Sequence, residues 1–125
     1  MAWLTSLAAM PLTPVAASSR SEPVHVALRS STPAANDTLP TPPERIRLHF
    51  TQAVEVRLAR IELFDADSAS IALPPVRAVD STDRAIVTDV PSTLGAGTYR
   101  VHWTVTSRDS HTIRGDIVFT VLAPA

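Results

Sequence analysis

Gly97-Thr98-Tyr99-Arg100-Val101-His102-Trp103-Thr104-Val105-Thr106 alternates without a break. Tyr99, Val101, Trp103 and Val105 fall on one side of an extended chain, and Arg100, His102, Thr104 and Thr106 fall on the other. That period of two belongs to a strand with one buried face. A large aromatic in mid-strand packs far more often than it binds, so Trp103, Tyr99 and Phe119 are read as core. After Ser107 to Ser110 the alternation returns through Ile113, Ile117, Phe119 and Val121, with Gly115 read as the mark of a bulge. These two runs predict a hairpin.

Working outward, Ile46, Leu48 and Phe50 alternate with Arg45, Arg47 and His49 in a second strand pattern. Val54, Val56 and Leu58 keep the period, Ile61 and Leu63 resume it in the opposite phase, and Asp65-Ala66-Asp67-Ser68 ends it. One bent strand or two short ones are expected there. Ile71 to Val79 and Ala85 to Val90 read as shorter strands separated by the turn-prone Asp80-Ser81-Thr82-Asp83. Ser30 to Glu44 reads as turn chemistry, because its prolines fix φ and remove donors. Short strands, polar turns and no helical period predict an all-β domain, a two-sheet antiparallel sandwich of the immunoglobulin-like kind with about seven strands.

The chain has 125 residues, enough for one domain with its own core. Its 11 Pro against 3 Gly suit short strands joined by rigid turns. A formal net charge of -1 offers no basic stripe for phosphates, so nucleic acid is not an expected partner. Cysteine is absent, which excludes disulfides, thiolate metal cages and cysteine nucleophiles. A metal site must therefore use imidazole and oxygen.

The opening stretch is apolar through Trp3, Leu4, Leu7, Met10, Leu12 and Val15, and Val15-Ala16-Ala17 supplies an A-x-A-like cleavage site. Residues 1–24 are read as a signal peptide and leader, and 25–125 as the folded domain. The run falls short of the roughly 20 apolar residues that span a bilayer.

No GxSxG elbow, phosphate-cradling glycine loop, HExxH or dinucleotide fingerprint occurs, which disfavours ordinary hydrolase and nucleotide chemistry. Asp65 with Asp67 and Asp80 with Asp83 lie in turn clusters, where Asp serves the local backbone. Asp109-Ser110-His111 differs: an acid and an imidazole two residues apart in extended backbone point the same way and can approach one ion. His25 lies just after the leader, where a first strand entering the sheet can bring its imidazole to the hairpin end. His49 and His102 fall on polar strand faces beside arginines and are read as surface imidazoles.

Four segments together resemble the CopC periplasmic copper-resistance family in order and spacing. They are His25 to Ala35, with its Ser30-Ser31-Thr32-Pro33-Ala34 stretch; Ile46 to Thr51; Gly97 to Trp103; and Ser107 to Gly115, which carries D-x-H-x-x-x-G. The likeness covers nearly everything after His25. It implies a Greek-key β-sandwich and a Cu(II) site formed by His25, Asp109 and His111. Two imidazoles and a carboxylate suit tetragonal Cu(II), which heads the divalent affinity series at such a site.

Some family members also hold Cu(I) in a methionine-rich loop, but the only methionines here are Met1 and Met10. The expectation is thus the oxidised ion alone. Many members carry Glu after the Phe-Thr pair, where this chain has Gln52, a hydrogen-bonding group without negative charge. Cleavage after Ala17 leaves His25 internal, without the α-amine that the family's N-terminal histidine adds.

The resulting expectation is an exported periplasmic Cu(II) carrier, monomeric and not an enzyme. It would act in copper resistance and deliver its ion to a CopD-type inner-membrane copper importer. Two other readings compete: a copper-dependent oxidative enzyme with a histidine-brace-like site, and a metal-free immunoglobulin-like interaction module. Aromatic residues at 5% offer little substrate platform for the first, and Gln52 favours the second.

Overall fold

Alternation becomes layering in the computed structural model, which describes residues 25–124; the expected signal peptide and leader lie outside the described residues. One sheet has four strands in the order β1 (Leu28–Thr32), β3 (Arg45–Phe50), β7 (Ala85–Asp89) and β6 (Arg77–Ala78). The other has five, in the order β2 (Thr38–Leu39), β9 (Thr112–Val121), β8 (Gly97–Thr106), β4 (Arg60–Phe64) and β5 (Ser70–Ile71). The sandwich is as expected. The nine segments exceed the expected seven because β2, β5 and β6 are two-residue pieces.

The inward residues of both sheets form one core. Leu48, Leu63, Ile86, Val101, Val105 and Phe119 are fully buried, and Ile46, Phe50 and Trp103 join them. Each such side chain contributes about 1.5–3 kcal/mol relative to exposure, so the alternating pattern is itself the driving force for layering. Tyr99 stacks on Phe119 with ring centroids 5.5 Å apart. Its hydroxyl donates to the Gly95 carbonyl at 2.7 Å, pinning the loop that enters β8 as a tyrosine corner does.

β8 and β9 form the expected hairpin, paired without interruption from Gly97↔Val121 to Thr106↔Thr112. Gly115 is therefore not a bulge. It lies opposite Trp103, and a Cβ there would come within 2.6 Å of the indole. The glycine exists so that the ring can lie on the neighbouring backbone.

Other expectations change as well. Ser30 to Thr32, read as turn, belongs to β1, and β2 joins β9 in parallel within an otherwise antiparallel architecture. Val54 makes a single antiparallel bridge to Ser107, and Val56–Leu58 forms a 3-10 turn closed by Leu58 N–H to Glu55 O and Ala59 N–H to Val56 O. Ile71 to Val79 is not one strand: its ends serve different sheets, and the stretch between them crosses the side of the sandwich. Pro74 and Pro75 cannot donate to a ladder. Instead the Pro74 carbonyl accepts from the fully buried Thr88 hydroxyl at 2.9 Å.

Candidate metal centre

Beyond β8 the backbone closes a tight turn. Ser107 N–H donates to the His111 carbonyl at 2.8 Å, and Ser110 N–H donates to the Ser107 carbonyl at 3.0 Å. Ser110 is left-handed at φ 69. Asp109 and His111 thus meet through a turn, not through the extended backbone that their spacing suggested. The Ser107 hydroxyl, on a residue only 2% exposed, donates to Asp109 Oδ1 and accepts from His111 N–H at 3.3 Å.

The turn is also tied from outside. Arg108 reaches Asp83 Oδ2 at 2.8 Å, and the Asp83 carbonyl accepts from Val54 N–H, the residue bridged to Ser107. The sequence reading gave Ser107 no role and took Asp83 for a turn residue serving its local backbone. The available signal for Ser107 was a hydroxyl two residues before an acid in a turn, a pattern that bonds locally.

His25 arrives from the other layer. Val26 is buried at 3% exposure, while Ala27 N–H donates to Thr51 Oγ1 at 3.0 Å and Ala27 O accepts from Thr51 N–H at 2.9 Å. The buried valine and this reciprocal pair hold the chain against the end of β3. The His25 ring consequently stands 4.3 Å from the His111 ring, centroid to centroid, at an interplanar angle of 64°.

His25, Asp109 and His111 each present a donor atom, all within 4.8 Å of one another and all exposed. Donors about 2 Å from an ion lie at most about 4 Å apart, so the cluster need tighten by no more than about 1 Å. Asp109 is held below the ordinary carboxylate range, first by the Ser107 hydroxyl and then by the His111 hydrogen bond. Its Oδ2 lies 3.0 Å from His111 Nδ1. The carboxylate and the ring thus sit side by side, held together by a contact that an ionised carboxylate can only accept.

The other imidazoles stand apart from this cluster. His102 Nδ1 bonds Asp116 Oδ1 at 2.9 Å on the outer face of the five-stranded sheet, and His49 pairs across strands with Ser30 and Ala85. Both match the surface reading. Glu55 lines a cleft with Arg57, Leu58, Ser107, Arg108 and Ser110, beside the turn. Gln52 follows Thr51, whose hydroxyl and amide hold Ala27.

Residues 28–122 match the CopC domain family. A curated relative, Copper resistance protein C of Xanthomonas campestris pv. juglandis, is 34% identical over 102 residues, covering 78% of this chain and 80% of the relative. Among solved structures, CopC from Methylosinus trichosporium OB3b superposes with a TM-score of 0.74 at 28% identity, covering 80% of this chain and 95% of that one. PcoC from Escherichia coli, described as a methionine-rich copper resistance protein, gives a TM-score of 0.67 at 33% identity, covering 78% of this chain and 99% of its own. With the sandwich, the matched span and these likenesses together, the chain belongs to the CopC family of copper resistance proteins.

Proposed function

We propose that this protein is a periplasmic Cu(II) carrier that holds one ion on His25, Asp109 and His111 and hands it on without transforming a substrate. The observation that carries the reading is the convergence of these three side chains, from opposite ends of the domain, to within 4.8 Å. Two borderline imidazole nitrogens and a hard carboxylate oxygen match Cu(II), and no thioether lies among the described residues to favour Cu(I). In this respect the chain differs from its methionine-rich relative.

Exposure of all three groups suits a cargo site, because a recipient's donors can approach from solvent. The recipient is a CopD-type inner-membrane importer, as the family likeness implies, and the apolar opening of the sequence supports export.

Copper titration of the processed protein tests the reading. One tight Cu(II) site with a d-d absorption band is expected, and His111→Ala should abolish it. Tight binding that survives that substitution refutes the assignment.

A further inference from the structure

We propose that Ser107 is the positioning residue of the copper site: its buried hydroxyl fixes which oxygen of Asp109 faces the ion and holds His111 in register. The inference rests on the reading of His25, Asp109 and His111 as ligands, and it adds a residue that touches no ion.

Ser107 is 2% exposed, yet its Oγ lies among three polar atoms of one turn. It donates to Asp109 Oδ1, accepts from His111 N–H at 3.3 Å, and lies 3.3 Å from the His111 carbonyl. A hydroxyl has one proton. Given to Oδ1, that proton leaves Oδ2 as the oxygen turned toward the His111 ring, 3.0 Å from Nδ1. The result is a chain from Ser107 through Asp109 to His111 that sets the carboxylate's rotation and the place of the imidazole beside it.

Neither ligand is held this way by packing, since both are exposed. Without the hydroxyl, Asp109 is free to rotate into solvent and the cluster must be assembled anew at each binding event. Outer-shell partners of this kind typically change metal affinity by about 10–100-fold.

The test compares Ser107→Ala, Ser107→Thr and Ser107→Val with His111→Ala, using competition titration for Cu(II) affinity and electron paramagnetic resonance for the ligand field. Thr and Val share a shape and differ in the hydroxyl, so the comparison survives if the Ala variant folds poorly. Expected are a loss of about 10–100-fold for Ala and Val with an altered copper hyperfine pattern, and retention of both by Thr. Far-ultraviolet circular dichroism of the metal-free proteins should stay unchanged.

Equal affinity and equal spectra in the Val and Thr proteins, with His111→Ala still abolishing binding, would overturn the role of Ser107 and leave the ligand assignment standing. Full binding in His111→Ala would instead remove the ligand assignment and this inference with it. In the unsubstituted protein, nuclear magnetic resonance should find the Ser107 hydroxyl proton protected from solvent exchange; free exchange also overturns the proposal.

Discussion

Replacing Gly115 by alanine sets two effects of opposite sign against each other. Within a strand, glycine costs about 0.5–1 kcal/mol relative to alanine through chain entropy, so Gly115→Ala should stabilise if there were room. There is none. The added Cβ would meet Trp103 Cζ2 at 2.6 Å and Cε2 at 2.8 Å, whereas carbon atoms pack comfortably at about 3.5–4.0 Å. The indole is 5% exposed, and the Phe50 ring stands edge-on at 5.4 Å, so the ring has little space to retreat. Separating the strands instead would stretch the Trp103↔Gly115 pairing at the middle of the longest ladder.

Overpacking of this kind costs about 1–3 kcal/mol, which for a domain of this size lowers the melting temperature by about 5–20 °C. Circular dichroism melts measure the shift, and Trp103 emission reports the displaced ring. Trp103→Phe in the Gly115→Ala background should recover part of the loss, with a coupling of about 0.5–3 kcal/mol. A Gly115→Ala protein that melts at or above the parent temperature refutes the reasoning.

Acid should expose the ion pairs on the outer face of the five-stranded sheet. Asp116 is held below the ordinary carboxylate range by its His102 hydrogen bond first and by Arg100 at 3.1 Å next. Its stabilising contribution is present above the unfolded carboxylate value and is lost as pH falls through the lower folded value. Asp116→Asn should therefore flatten the acid side of the melting-temperature profile, and His102→Ala should raise the Asp116 carboxyl titration seen by carbon-13 resonance; an unmoved titration contradicts this. Tyr99→Phe removes the bond to Gly95 and should cost about 1 kcal/mol, read as a lower urea midpoint at constant slope. An unchanged midpoint would show that the Gly95 carbonyl finds another partner.

The long alternating runs were legible because β8, β9 and β3 each turn one face to the core and one outward, which writes the layer into the residue order. Val54, Val56 and Leu58 mimicked that order while doing something else: Leu58 is 58% exposed at the end of a 3-10 turn. Periodicity reports a pattern of residue types and not which side receives them. Thr38 and Leu39 were hidden for the opposite reason, since two residues are too few to show any period and their partner strand is remote.

The site was legible in part. Asp109 and His111 stood out by spacing, although the turn that joins them obeys hydrogen bonds from Ser107 and not strand geometry. His25 depended on resemblance, because no local rule tells that a residue before the first strand will lie 4.3 Å from a ring 86 positions later. Ser107 was missed because a buried hydroxyl in a polar turn looks like any other serine in a string of letters.

The three donors come from different layers: His25 hangs from the edge of the four-stranded sheet, while the other two ride on the hairpin of its neighbour. Cargo held there would act as a removable rivet between the sheets. Loading would then be felt mechanically, as resistance to peeling β1 away, and a protease trimming the chain ahead of Leu28 would cut the empty protein faster than the filled one.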